Sequence, residues 1–359
     1  MKVSIGSKII NGPWGGGNLF VINLKNYLEQ NGHQVIFDLT DKDIDLILLT
    51  DPRSRKESSS TFSHKDIKIY KTYVNQNVKV VQRINECDER KNTKNINKFY
   101  LDASEVADKV VFVSEWLQKI YLNLGIDKNK SLVIMSGSDK KIFNKKNLID
   151  FNEKEIKFVT HHWSSHPNKG FRIYKEFDNL ISKPQYSNLK FTYIGNIPKN
   201  FEFKNTKIVK PLFGNELASE IKNHNIYLTA SINEPSGNHH IEAALCGLPI
   251  LFLKSGGIPE YCTNYGVGFD GSFEGSFEEG LIEIIKNYDS YIKKLENYPY
   301  ESNKMCEEYL NLFLELTSNN KNLEVKSKFK RSIVLFKNKC QVILRKISFK
   351  EKLKLLIRK

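Results

Sequence analysis

Short apolar runs and helix-like segments alternate along this chain in two successive series. In the first series the apolar runs include KVSIGSK, QVIFDL, IDLILLTD, VKVVQRIN and KVVFVSE. In the second series they include IKFVTHHW, LKFTYIGN, IYLTAS and PILFLKS. Strands that alternate with helical segments are typical of βαβ units, in which helices cover both faces of a parallel sheet. The pattern therefore predicts an α/β protein with two doubly wound parallel sheets.

A polar stretch near residue 150, FNKKNLIDFNEKE, separates the two series and is interpreted as a linker. We accordingly predict one Rossmann-like domain over residues 1–148 and a second over residues 149–318. Sheets of this kind bind ligands at the carboxyl ends of their strands, so the two domains should face each other across a cleft. We expect the last helix of the second domain to pack back toward the first.

The basic charge of the chain is concentrated at its end. The chain has 55 Lys and Arg against 41 Asp and Glu, and residues 321–359 hold 14 of the basic and two of the acidic residues. The rest is nearly neutral, which argues against nucleic-acid binding. Because apolar residues are interleaved with the basic ones, we predict that residues 319–359 form an amphipathic tail on an anionic membrane surface. The alternative is a helix that packs back on the body.

Two further features suggest the compartment. The chain has no apolar run of about 18 residues and begins with a strand pattern rather than a signal peptide. Its five cysteines are widely spaced without a CxxC pair, so neither a disulfide framework nor a zinc ribbon is indicated. We expect a cytoplasmic protein, held peripherally at the inner face of the cell membrane.

The most informative motif runs from Glu234 to Glu242 and continues into AALCGLPILFLKS. Its two carboxylates flank helix-breaking residues and a glycine, which predicts a strand, a loop that carries Glu234, a helix whose first turns carry Glu242, and another strand. Carboxylates accept paired hydrogen bonds from vicinal hydroxyls, and the free N–H groups at a helix start bind anions. A sugar nucleotide has both chemical features, so the motif predicts an enzyme that transfers a sugar.

Residues 156–268 also strongly resemble the donor half of retaining glycosyltransferases of family 4, which have the GT-B fold. The motifs that carry the resemblance are the two glutamates and a Gly-Gly turn followed by Glu260. The resemblance implies that Glu234 contacts the transferred sugar and that Glu242 holds the ribose hydroxyls. It also implies that donor-binding backbone groups lie at Gly237, Asn238, His239, Gly256 and Gly257.

Lys169-Gly170, in HHWSSHPNKGF between a strand and a helix, resembles the Lys-Gly turn of the same family, whose lysine binds the donor diphosphate. An ammonium group there would neutralise charge that develops on the leaving nucleoside diphosphate. The family usually has an arginine several residues earlier, where this chain has HHWS at 161–164. The second cation is therefore unassigned, and Arg172 and Arg83 are candidates.

Two segments of the first domain are expected at the cleft. The glycine-rich segment GPWGGGN follows the first strand, and its Gly16 and Gly17 resemble the family's loop near the phosphate and the acceptor. The charged cluster from Arg83 to Arg90 follows the buried strand VKVV. Charged residues at the carboxyl end of a strand face the cleft in such sheets, so we expect Arg83 to bind substrate. The alternative for this cluster is a solvated loop.

The eight histidines form neither an HExxH motif nor a Cys/His set, so we predict no metal and no cofactor. The resemblance implies a retaining glycosyltransferase that moves a sugar from a UDP- or GDP-sugar to a glycan or lipid-linked acceptor in cell-surface polysaccharide synthesis. Glu234 and Lys169 would be its catalytic residues. Two alternatives stay open: a sugar-nucleotide epimerase or hydrolase of the same fold, and a catalytically silent sugar-nucleotide-binding scaffold.

Overall fold

The computed structural model describes residues 1–10, 12, 15–53, 59–318 and 328–357, with side chains up to Arg345 in the final helix. The predicted tail therefore lies partly outside the described residues, at 319–327 and 358–359. In the first domain the strands are β1 (Lys2–Ile5), β2 (Gln34–Ile36), β3 (Leu46–Leu49), β4 (Lys79–Ile84), β5 (Lys109–Phe112) and β6 (Ser131–Val133). The helices are α1 (Gly15–Gln30), α2 (His64–Tyr73), α3 (Asp88–Lys91), α4 (Ile96–Ser104) and α5 (Glu115–Asn123).

The second domain repeats this alternation. Its strands are β7 (Ile156–His162), β8 (Leu189–Gly195), β9 (Lys207–Val209), β10 (Ile226–Thr229), β11 (Ile250–Leu253) and β12 (Gly266–Phe269). Its helices are α6 (Phe171–Leu180), α7 (Gly214–Ile221), α8 (Asn238–Leu245), α9 (Ile258–Cys262), α10 (Glu278–Lys286) and α11 (Tyr288–Leu295). Two further helices, α12 (Ser302–Thr317) and α13 (Lys328–Ile357), follow it. The predicted α/β architecture with two parallel, doubly wound sheets is confirmed.

Each sheet is buried on both faces, which explains the continuous apolar runs. In β3, Leu46 and Leu48 contact the core cluster that α1 and α12 cover, whereas Ile47 and Leu49 contact the cluster on the other face. Successive side chains of a strand point to opposite faces, so most positions of a strand covered on both sides are apolar. All four residues of β3 are fully buried.

The two sheets differ in the place at which their strand order reverses. The first has the order β2-β1-β3-β4-β5-β6, which reverses between β1 and β3. The second has the order β12-β11-β10-β7-β8-β9, which reverses between β7 and β10. In open parallel sheets, ligands bind in the crevice where the order reverses, beyond the carboxyl ends of the strands. The loops after β1, β3, β7 and β10 are therefore the expected ligand-binding loops.

Helix α12 packs on the first domain, although it follows the second in sequence. Its Met305, Tyr309 and Phe313 are buried in the core cluster that also contains residues of β1 and α1. The ring centroids of Phe20 and Tyr309 are 5.1 Å apart in an edge-to-face arrangement. The chain thus crosses between the domains twice, and these contacts help to fix their relative orientation.

Helix α13 packs on the first domain along one side only. Val334 and Leu335 contact its apolar core next to α2, and the Asn338 side-chain amide donates to the Leu39 carbonyl at 2.8 Å. On the opposite side of the helix, Phe329 and Phe336 are 76% and 70% exposed. Within the described part of the chain, no helix is both long enough and apolar enough to cross a bilayer.

Candidate functional site

A cavity of about 680 Å³ lies between the two domains, at the carboxyl ends of both sheets. This volume falls within the range of small-molecule sites, roughly 300–1,000 Å³. Nine of the residues predicted for substrate binding or catalysis line it: Gly16, Gly17, Arg83, Lys169, Glu234, Gly237, Asn238, His239 and Glu242. The first domain contributes its glycine-rich loop and the end of β4, and the second contributes the loops that follow β7 and β10.

Glu234 is held between two cations from different domains. It lies in the loop after β10 and is buried. The Lys169 ammonium group donates to Glu234 Oε2 in a short contact, and Arg90 Nη2 lies 2.9 Å from Glu234 Oε1. Lys169 belongs to the second domain and Arg90 to α3 of the first, so this carboxylate joins the two walls of the cleft.

The position of Lys169 depends on the glycine that follows it. Gly170 has φ of +94°, and a Cβ atom there would lie 2.5 Å from the Ala230 carbonyl oxygen at the end of β10. A glycine is the residue that tolerates both this backbone conformation and this close approach. The turn can therefore pack against β10, which brings Lys169 to Glu234.

The surroundings of Glu234 keep it ionised. Burial alone would raise the pKa of this carboxyl, but the charges of Arg90 and Lys169 lower it far below its ordinary value. For Lys169, burial lowers the pKa of the ammonium group, and Glu234 opposes this effect. An ionised, doubly paired carboxylate is a weak base and a poor proton donor at neutral pH, which suits an electrostatic role.

Arg90 is a site residue that sequence reasoning did not single out. Its Nη1 also pairs with Glu86 Oε2 at 2.9 Å, and its backbone carbonyl accepts a hydrogen bond from the Asn168 side chain at 2.9 Å. Its position in the charged cluster after β4 was the available signal. The suggested alternative, Arg172, instead pairs with Glu176 at 3.2 Å and donates to the Gly271 carbonyl at 2.8 Å.

Glu242 is oriented by a histidine from the neighbouring strand. It lies in α8 and is buried, and its Oε2 is 2.9 Å from His161 Nε2. The other ring nitrogen, His161 Nδ1, lies 3.2 Å from the Tyr227 hydroxyl. This chain from Tyr227 through His161 to Glu242 was not predicted, because a single histidine at the end of a strand is usually only a core residue.

Three more histidines lie in or behind the cleft wall: His162 and His239 line the cavity, and His240 follows in α8. Burial, followed by the charge of Lys169, lowers the pKa of His162 well below its ordinary value. Burial also lowers the pKa of His239 strongly and that of His240 to about 3, so these rings are neutral at physiological pH. In the part of the chain that the structure describes, no group of three His, Cys, Asp or Glu residues is arranged to hold a metal ion.

The Gly-Gly turn lies behind the loop that carries Glu234. The Gly257 N–H group donates to the Glu234 carbonyl at 2.9 Å, and a Cβ atom on Gly257 would lie 2.7 Å from Ser114 Oγ of the first domain. Among the described residues that line the cavity, neither Gly256 nor Gly257 is found. The turn therefore supports the loop from behind.

The glutamate that follows this turn joins the domains a second time. The Glu260 carboxylate accepts hydrogen bonds from the backbone N–H groups of Glu115 and Trp116, both at 2.7 Å. These groups are at the start of α5, where free N–H groups and the helix dipole favour a negative charge. Glu260 thus caps a helix of the opposite domain.

Part of the second domain is similar in sequence to known proteins. Residues 139–305 match the family described as glycosyl transferases group 1. A probable sucrose-phosphate synthase of Thermosipho melanesiensis is 34% identical over 99 residues, which are 26% of this chain and 23% of that protein. The gpi3 subunit of phosphatidylinositol N-acetylglucosaminyltransferase of Schizosaccharomyces pombe is 32% identical over 80 residues, 22% of this chain and 18% of that protein. These alignments span a quarter or less of the relatives.

Solved structures with the same fold cover most of the chain. Anabaena HepE in complex with UDP-glucose has a TM-score of 0.64 at 14% identity, covering 88% of this chain and 100% of that one. Starch synthase IV of Arabidopsis thaliana, bound to ADP and acarbose, has a TM-score of 0.65 at 12% identity, covering 89% and 99%. Sucrose-phosphate synthase of Thermosynechococcus elongatus has a TM-score of 0.62 at 13% identity, covering 89% and 100%. The predicted GT-B-type fold is confirmed.

Proposed function

We propose that this protein is a retaining glycosyltransferase of family 4 that moves a hexose from a nucleoside-diphosphate sugar to a glycan or lipid-linked acceptor. The observation that carries the proposal is the cluster of Lys169, Glu234 and Arg90. It lies beyond the carboxyl ends of β7 and β10, where the strand order of the second sheet reverses. Glu242 lines the same cavity, and Lys169, Glu234 and Glu242 belong to the segment that matches group 1 glycosyl transferases. A cleft with two cations and two carboxylates suits a ligand with a diphosphate and several hydroxyls.

Each of these residues has a role in the proposed reaction. The bond between the anomeric carbon and the phosphate oxygen breaks, and Lys169 and the N–H groups at the start of α8 stabilise the charge on the departing diphosphate. The acceptor oxygen bonds to the anomeric carbon from the same face and gives its proton to the departing phosphate oxygen. Glu234, which stays ionised, stabilises the positive charge that develops on the sugar.

The remaining donor contacts follow from the geometry around Glu242. Its carboxylate, oriented by His161, is proposed to accept hydrogen bonds from the ribose hydroxyls. We assign Arg90 as the second diphosphate-binding cation of the cleft, because His161 and His162 occupy the positions where the family usually has an arginine. The donor is proposed to be a UDP- or GDP-sugar; HepE, a structure with this fold, is in complex with UDP-glucose.

A donor panel tests the proposal. We expect purified protein to release the nucleoside diphosphate from one UDP- or GDP-sugar faster when a membrane or glycan extract is added. The product should keep the anomeric configuration of the donor, which NMR of the new linkage measures. Equal release without acceptor would indicate a hydrolase, and a changed sugar without release would indicate an epimerase. Tight donor binding without any turnover would indicate a silent scaffold.

We propose further that α13 holds the protein at the inner face of the cell membrane, where lipid-linked acceptors for polysaccharide synthesis are available. An exposed apolar stripe follows one face of the helix, at Phe329, Ile333, Phe336 and Ile343. The side that packs on the domain, with Val334, Leu335 and Asn338, is the opposite one. The stripe is therefore directed away from the body and can enter a bilayer interface.

Lysines on both flanks of this stripe support the choice of an anionic surface. By helical spacing, Lys330 and Lys337 lie on one flank, and Lys328 and Lys339 on the other. Each basic residue near an anionic lipid surface contributes about 1 kcal/mol to binding. An apolar stripe between two basic rows is the pattern of a helix that lies in the membrane interface.

Replacing Phe329 and Phe336 by serine should release the protein from anionic vesicles. Burial of one such side chain contributes about 1.5–3 kcal/mol, so we expect the double variant to partition about tenfold less or weaker still. Sedimentation with phosphatidylglycerol vesicles measures this, with phosphatidylcholine vesicles for comparison. Ile282→Ser, which changes a residue 61% exposed on α10, is the matched control. Equal binding of both variants would contradict the membrane role of α13.

A further inference from the structure

A second, smaller cavity lies where the strand order of the first sheet reverses. Its volume is about 190 Å³, and the loops after β1, β3 and β4 line it. Gly17, Arg83 and Asn85 line both this cavity and the interdomain cleft, so the two spaces adjoin. The crevice between β1 and β3 is the expected ligand position in a sheet with this strand order. We refer to this cavity as the first-domain pocket.

Arg83, at the end of β4, is a buried cation in the wall of this pocket. It is only 5% exposed, and its guanidinium carbon lies 4.0 Å from the centre of the Phe20 ring. Its Nε is buried without a hydrogen-bond partner, its guanidinium interacts with the Tyr309 side chain, and no ion pair between described residues includes Arg83. A buried charge without an oppositely charged partner is costly, and proteins normally pair it.

The carboxylates of the first-domain pocket are already paired with other cations. Asp51 accepts hydrogen bonds from the Arg53 guanidinium, at 2.7 Å from Nη2 and 2.9 Å from Nε. Glu86 pairs through Oε2 with Arg90 at 2.9 Å and with Lys91 at 3.5 Å. Neither of these two carboxylates therefore forms an ion pair with Arg83.

We propose that the first-domain pocket binds an acidic group on the acceptor, a carboxylate or a phosphate, through the guanidinium of Arg83. Guanidinium binds such groups by two parallel hydrogen bonds, which a lysine cannot reproduce. Glu86 Oε1, which is buried without a partner, would accept a hydrogen bond from a neighbouring hydroxyl of the same ligand. This inference rests on the proposed glycosyltransferase function and names the chemical class of the acceptor.

The size of the pocket fits this assignment. A volume of 190 Å³ corresponds to about six water molecules, so it accommodates one acidic sugar unit and not a whole donor. Because the pocket and the cleft share Arg83 and Asn85 in their walls, we place the bound unit next to the sugar held by the second domain. Donor binding uses Lys169 and Glu242, which lie in the other domain.

The test compares acceptors that end in a uronic acid, in a sugar phosphate, or in the matching neutral sugar. We expect wild-type protein to prefer one of the two acidic classes, and the class identifies the anion as a carboxylate or a phosphate. Arg83→Gln should reduce the preference for acidic over neutral acceptors, measured as kcat/KM, by about tenfold or more. Arg83→Lys should restore only part of it. Arg172→Gln, which changes an exposed arginine outside the cleft, should keep the full preference.

Direct binding separates this inference from the proposed function. Glucuronate, glucose phosphate and glucose are titrated calorimetrically into wild-type protein and Arg83→Gln without donor, and thermal unfolding verifies that the variant is folded. Binding of an acid to wild type that is lost in a folded Arg83→Gln supports the pocket, even if no donor is turned over. Equal preference for neutral and acidic ligands, or a preference that survives in Arg83→Gln, overturns it.

Discussion

Replacing Lys169 by alanine is expected to lower kcat by about 100- to 1,000-fold, the usual effect of removing one donor that stabilises developing charge. In the proposed reaction, negative charge moves to the departing diphosphate, and a buried ammonium group interacts strongly with that charge because little water screens it. The variant should fold, since Glu234 keeps its ion pair with Arg90 at 2.9 Å. Steady-state turnover with the preferred donor, at saturating acceptor, measures the effect.

A matched control separates this role from the loss of any lysine ion pair. Lys207 pairs with Glu220 at 3.2 Å outside the cleft, so Lys207→Ala removes the same charge without touching the site. Calorimetric titration with the nucleoside diphosphate should show weaker binding to Lys169→Ala than to wild type or Lys207→Ala. If the Lys169 variant retained near-normal turnover and diphosphate binding, Lys169 would not be the diphosphate ligand.

The fold could be predicted from the sequence because several central strands contain short, continuous apolar runs. The four residues LILL of β3 and ILFL of β11 are buried on both faces, and such runs are typical of a parallel sheet covered by helices. The start of α8 could also be predicted, because the helix-breaking residue Gly237 directly precedes its first residue, Asn238. These are local signals, and each is contained within about ten residues.

Part of the candidate site was predictable for a related reason. Lys169 and Glu234 follow β7 and β10, which are adjacent strands, so a parallel sheet brings their loops together regardless of the rest of the chain. Arg90 was not predictable, because its contact with Glu234 depends on how the two domains are oriented. That orientation is determined by distant contacts, among them Glu260 with the start of α5 and α12 with the first domain.

The tail shows another limit of sequence reasoning. Membrane contact and packing on the body are alternatives at the level of the sequence, yet α13 packs on the first domain along one side and leaves apolar side chains exposed on the other. When a helix has apolar residues on two sides, their spacing alone does not show which side packs on the domain, because both sides have the helical period. The structure shows which side packs on the domain: Val334 is partly buried against its core, and Phe336 is exposed.

The replacement of Glu234 by glutamine should separate binding from catalysis. Glutamine has nearly the same shape but no charge, so it cannot stabilise positive charge on the transferred sugar. We expect kcat to fall by about tenfold or more, a loss of at least 1.4 kcal/mol in transition-state stabilisation. Donor affinity should change little or increase, because Lys169 and Arg90 lose their shared carboxylate and the diphosphate can take its place.

This split between kcat and affinity is what a purely structural role would not produce. Loss of one partner from a buried ion pair destabilises a protein, so thermal unfolding of Glu234→Gln with and without nucleoside diphosphate should accompany the kinetics. We expect the ligand to stabilise the variant at least as much as wild type, because the freed cations then bind it. Glu29→Gln, which breaks an exposed pair with Lys25 on α1, is the control for charge loss. Unaltered turnover of Glu234→Gln would show that Glu234 has no role in the reaction. Loss of donor binding together with turnover would show that Glu234 binds the donor in the ground state.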